Sequence, residues 1–175
     1  ERVAQDDRDP ASQAALVADI LTAQAFIART RGDDALTIEL SRRALSLLPQ
    51  ENLAGRSVLA VNLGIAHWSC GHLAQAERAL MEAYHAAQQS RNHYARLTAL
   101  GFLGAVQAAQ GQLHEGAEWL REAIRLGEGA PPTALAHDTL GALLYEWNQL
   151  EAAAEELERG IDLGARSGNV EIQMG

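Results

Sequence analysis

The 175-residue chain contains no lysine, one cysteine, four prolines and few aromatics: two Phe, three Trp and three Tyr. Without lysine all 14 of its cations are arginine, and a G-x-x-x-x-G-K-[ST] phosphate loop cannot occur in it. The single cysteine, Cys70, cannot close an internal disulfide, and no Cys/His zinc spacing is present. A reducing, cytoplasmic setting fits that usage. No apolar run reaches the roughly 18 residues of a membrane helix, and no charged-then-apolar leader opens the chain. The 14 cations face 23 carboxylates, giving a formal net charge of -9. That balance argues against nucleic acid as a partner of this segment, because phosphate-backbone affinity needs clustered cations.

What the chain does contain is 34 Ala and 25 Leu, a composition that favours helices over sheets. Its organisation is a repeat. From the small residue of each Leu-Gly pair (Gly64, Gly104, Gly141), the same offsets lead to a turn residue at +7, a small residue at +12 and a leucine at +16. The turn residues are Gly71, Gly111 and Asn148. The small residues are Ala76, Gly116 and Ala153, and the leucines are Leu80, Leu120 and Leu157. A degenerate first copy runs Ala25, Gly32, Thr37, Ser41. The markers at 25, 64, 104 and 141 lie 39, 40 and 37 residues apart, so the interiors are rigid and the joints elastic.

Each unit reads as a helix, a tight turn at a residue that tolerates a left-handed backbone, and a second helix. A mid-helix glycine costs about 1 kcal/mol relative to alanine, so repeating one makes sense only where a neighbouring helix packs on the bare backbone. The expected fold is all-α: a right-handed superhelix, or α-solenoid, of about four antiparallel helix pairs. Residues 1-11 read as an N-terminal flank, 12-169 as the array (units about 12-49, 53-90, 92-128 and 132-168) and 170-175 as the start of a fifth unit. Together with a first residue that is Glu1 rather than Met, this reads as an excerpt of a longer protein.

The offsets match the tetratricopeptide (TPR) pattern with two departures. The units exceed the usual span of about 34 residues, and Ala60, Leu100 and His137 stand in the place of the early Trp. Longer, Ala-rich units of this kind resemble the helical-repeat sensor domain of the large ATP-dependent, MalT-like LuxR-type transcriptional regulators. Three stretches carry the resemblance. They are Arg31-Gly32-Asp33-Asp34-Ala35 on to Pro49, then Leu63-Gly64-Ile65-Ala66 with Gly71-His72-Leu73, and Leu143 through Glu151 closing on Ala154. The resemblance implies a sensor that binds a small-molecule inducer or a regulatory protein and, in the full-length protein, promotes self-association. It also implies an ATP-binding module upstream and a helix-turn-helix downstream, neither of them within these residues, and no cofactor in the segment itself. A stand-alone TPR scaffold that captures a peptide is the alternative reading.

No catalytic constellation is visible, so an enzyme is not expected. Glu155, Glu156 and Glu158 read as a solvated face, the six histidines as scattered, and Cys70 as a small packed thiol. First helices of stacked pairs line a concave surface, and residues at offsets -6, -3, +1 and +4 from each marker should face it. The resulting candidates are Asp19, Phe26 and Arg29 on unit one, Val61, Ile65 and Trp68 on unit two, and Asp138 and Tyr145 on unit four. Asn62 adds an amide, and Phe102 completes the set on unit three. The same projection gives unit three an otherwise nearly bare wall of Thr98, Gly101, Ala105 and Ala108. Trp119 and Trp147 read as bridges in inter-unit packing.

Overall fold

The computed structural model describes residues 10-167 and contains eight α-helices and a short 3-10 turn. The helices are α1 (Pro10–Thr30), α2 (Asp34–Leu47), α3 (Leu53–Ser69) and α4 (Leu73–Ser90), then α5 (His93–Ala109), α6 (Leu113–Gly127), α7 (Ala134–Glu146) and α8 (Leu150–Ser167). The 3-10 turn, Pro131–Thr133, leads into α7. No strand occurs among the described residues. The largest contacts join α1 to α2, α3 to α4, α5 to α6 and α7 to α8, and each pair stacks on the next through α2 on α3, α4 on α5 and α6 on α7. The segments expected as the start of a fifth unit and most of the N-terminal flank lie outside the described residues.

Local chemistry sets these boundaries. Asp33, Asn52 and Asn92 cap α2, α3 and α5, each side chain accepting from a backbone N–H three residues on, at 3.1, 3.0 and 3.2 Å. Such a cap is worth about 1 kcal/mol over alanine. Between paired helices the chain turns through a left-handed residue: Gly32 (φ 72°), Gly71 (φ 73°), Gly111 (φ 84°) and Asn148 (φ 57°).

The repeated Leu-Gly pair is a steric lock. A Cβ placed on Gly64 would lie 2.5 Å from Leu80 Cγ, on Gly104 2.5 Å from Leu120 Cγ, and on Gly141 2.7 Å from Leu157 Cγ. Leu80 and Leu120 are fully buried as a result. Burying a leucine stabilises by roughly 1.5–3 kcal/mol, which outweighs the glycine's cost of about 1 kcal/mol. Unit one reaches the same fit with the sizes exchanged, a buried Ala25 at the glycine register and a buried Ser41 at the leucine register.

Four apolar clusters run along the stack. One joins α1, α2 and Leu59 of α3, and another joins Ala83 and Ala87 of α4 to Ala95 and Ala99 of α5. Trp119 meets Tyr84 of the preceding unit edge-on at 5.7 Å, and Trp147 stacks on His114 at 5.0 Å, so both do bridge neighbouring units. Two expectations need correction. Cys70 is exposed at the end of α3, where it is the C-cap residue just before left-handed Gly71. Glu155 and Glu158 are exposed, but Glu156 turns inward, 2.6 Å from Nδ1 of the buried His137, and ties α8 to α7.

Candidate functional site

The first helices do line a concave surface, and its centre is a groove of about 630 Å³. Eight of the ten candidate residues meet there: Phe26, Arg29, Val61, Asn62, Ile65, Trp68, Phe102 and Asp138. A volume of that size suits a drug-sized molecule or a short stretch of peptide.

Two contacts stitch its wall between units. Arg29 Nε donates to Asn62 Oδ1 at 3.1 Å, joining unit one to unit two, while the guanidinium carbon lies 5.1 Å from the Phe26 ring centroid. The Trp68 and Phe102 rings meet edge to face at 5.4 Å, joining unit two to unit three. Such aromatic pairs add about 0.5–1.5 kcal/mol beyond the area they bury. Asn62 is almost fully buried, and with Oδ1 occupied by Arg29 its Nδ2 has no partner. A buried donor left unpaired costs about 1–3 kcal/mol, so this amide is set to gain from an acceptor oxygen.

Asp19 and Tyr145 fall outside the groove lining, and both are exposed. The projection treated all units as level, whereas the groove crosses them on a diagonal. On α1 it is lined at offsets +1 to +5 from the marker, and on α3 from -6 to +5. On α5 the lining runs from -10 to -2, and on α7 only -6 and -3 contribute. Asp19 is therefore too early on its helix and Tyr145 too late on its own.

The unit-three wall is not bare either. Tyr94, Thr98 and Phe102 occupy it, Ala105 is buried, and Gly101 faces Ala136 of α7, 3.9 Å from where its Cβ would stand. Fixed-register reasoning also missed the ends of the groove. At the unit-one end Arg31, Gly32 and Asp34 close it, and at the other the rigid Pro131-Pro132 pair does so beside Leu135. Burial is the main influence on the Asp34 carboxyl and raises it above the usual range; Asp33 adds to this and a hydrogen bond from Cys70 opposes it.

Among the described residues there is no cluster of three or more His, Cys, Asp or Glu suited to a metal ion. Nor is any described helix long and apolar enough to cross a membrane.

Stacked helix pairs with these Leu-Gly locks and a groove along their first helices define a TPR-like helical-repeat protein. The chain belongs to the family of MalT-like TPR regions, whose model matches residues 18–174. The sequence matches no curated protein. Solved structures share the fold at low identity. One is a Rap protein complexed with competence and sporulation factor: 16% identity, TM-score 0.75, covering 95% of this chain and 46% of that one. Another is the Rap conjugation gene regulator of plasmid pLS20 in complex with a Phr peptide: 16% identity, TM-score 0.77, 97% and 46%. A third is aspartyl phosphate phosphatase F from Bacillus subtilis: 14% identity, TM-score 0.70, 95% and 44%. The chain thus spans a little under half the length of each.

Proposed function

We propose that this region is the ligand-sensing module of a MalT-like transcriptional regulator and that its occupant lies along the diagonal groove. The observation that carries this reading is that one continuous groove is lined by all four first helices. An occupant would touch every unit, so its affinity would depend on how the units stack. A ligand shifts a conformational equilibrium only through such a difference in affinity between states. Stacking is thereby the element through which occupancy would be relayed to nucleotide- and DNA-binding modules elsewhere in the polypeptide.

The groove's chemistry describes the occupant. Its centre is apolar, from Phe26, Val61, Ile65, Trp68 and Phe102, and the unpaired Asn62 amide calls for an acceptor oxygen beside Arg29. Asp138 stands at the far end. A short extended peptide with apolar side chains meets these conditions, and of the Rap structures that share this fold one is a complex with a Phr peptide and another a complex with competence and sporulation factor. A small inducer with an apolar body and a carbonyl or carboxylate satisfies the same central contacts.

The test is a thermal-shift screen of short peptides, sugars and central metabolites against the wild-type chain, Trp68→Ala and Arg29→Ala. A ligand at 100 times its Kd stabilises by about 2.7 kcal/mol. The expected result is a class of compound that raises the melting temperature of the wild type and not of either variant, both variants keeping wild-type helicity by circular dichroism. Hits that stabilise both variants as much as the wild type would remove the groove from consideration.

A further inference from the structure

Every internal first helix is covered, on its side toward the preceding unit, by that unit's second helix. Counted from each marker, the residues under that cover stand at offsets -5 and +2. At -5 are Leu59, Ala99 and Ala136, all fully buried; Leu59 lies in one cluster with Leu40, Ala44 and Leu48 of α2, and Ala99 in another with Ala83 and Ala87 of α4. At +2 are Ala66, Val106 and Leu143, also buried, Val106 beside Ala76 and Leu80 of α4.

The same registers on α1 hold Ile20 and Ile27, which are 49% and 47% exposed. Leu16, one further turn back at -9, is 47% exposed, whereas its counterpart Ala95 is buried. These are large apolar side chains on a face that bears no charge: the only charged residues of α1 are Asp19 and Arg29, and Arg29 belongs to the groove wall. A helix end-capping a repeat array carries a polar outer face. α1 carries instead the interface of an internal helix.

We propose that this face of α1 is a stacking surface covered by the second helix of a further helix pair that precedes α1 in the polypeptide. That covering helix runs antiparallel to α1 and presents alanine and leucine at four-residue spacing, as α2 does to Leu59 and α4 to Ala99. Its other face is charged. The established inter-unit interface, repeated three times in this array, argues for this occupant over a second copy: at each joint the preceding unit's second helix makes the larger contact with the first helix, beside a smaller one from the preceding first helix. Two copies bearing a net charge of -9 each would also repel. The similar Rap structures are about twice as long as the stretch matched here.

The test compares residues 1–175 with the full-length gene product. Ile20→Ser combined with Ile27→Ser should lower the melting temperature of the longer protein by at least about 5 °C and that of residues 1–175 by about 1 °C or less. A photo-crosslinking amino acid at position 20 of the full-length protein should join α1, within one molecule, to a helix on its N-terminal side. Crosslinks between copies, crosslinks to any other segment, no crosslink, or the absence of a helix pair ahead of α1 would each overturn the proposal. So would an equal loss of melting temperature in the two proteins.

Discussion

Leu120 sits directly over Gly104, its Cγ 2.5 Å from where a Cβ on that glycine would be, and the Gly116 carbonyl lies 2.9 Å from the same point. The first contact is with a buried side chain and the second with backbone, so neither can yield cheaply. Gly101, one turn earlier on α5, has its nearest neighbour at 3.9 Å.

Alanine should therefore act with opposite sign at these two glycines. Gly104→Ala is expected to destabilise by about 1–3 kcal/mol through overpacking. Gly101→Ala is expected to stabilise by about 0.5–1 kcal/mol through helix propensity. Urea unfolding of the two variants gives both numbers, and a stable Gly104→Ala would mean the lock is slack.

The turn residues separate backbone strain from packing. Gly71 has φ 73° with no atom within 4 Å of a Cβ, so Gly71→Ala carries only the left-handed penalty, about 1 kcal/mol. Asn148, at φ 57°, already meets that penalty in part, and Asn148→Gly should match or slightly exceed wild-type stability. Thermal denaturation of the pair would show whether the two turns are equivalent.

Asn62→Ala removes the acceptor for Arg29 Nε and leaves a small gap in the groove wall. Hydrogen bonds to charged groups contribute about 1.5–3 kcal/mol, and the Arg29 side of this one is partly exposed, so a loss of about 1 kcal/mol is expected. Asn62→Asp keeps the acceptor and removes the unpaired donor. It should lose ligand response, which a thermal-shift titration of any groove ligand would reveal.

His67 gives the fold a pH dependence. Burial first, then Arg42, His72 and Arg78, lower its pKa from the ordinary 6.5, and its Nδ1 is buried without a partner. The unfolded chain takes up this proton near pH 6.5 while the folded chain resists until lower pH. Stability from this site is thus present above about 6.5, falls as pH drops below it, and levels off beneath the folded value. His67→Gln should flatten that fall. Urea midpoints at pH 7.5 and 5.5 for both proteins test it; an unchanged difference would show that other groups govern the slope.

The helix pairs, their turns and the Leu-Gly lock were legible because each depends on contacts at fixed separation along one unit. Gly64 and Leu80 are always 16 residues apart, whatever the joints do. The central groove residues Val61, Asn62, Ile65 and Trp68 were legible for the same reason. Asp19 and Tyr145 were misplaced because their positions depend on the accumulated offset between units, which resides in joints of varying length. Glu156 was misread because its partner, His137, lies on the other helix of the pair, and a carboxylate within an acidic run gives no sign of a buried partner across the way.

The centre and ends of the groove differ in their freedom to change. Val61, Asn62 and Ile65 line the groove yet are nearly buried, holding first helices together as well as facing an occupant. Tyr94 and Asp138 at its margins are exposed and carry no such duty. Substitutions in the middle would disturb stability and recognition together, while those at the margins could retune recognition alone. If the groove binds as proposed, differences in ligand preference among proteins of this design should accumulate at its two mouths.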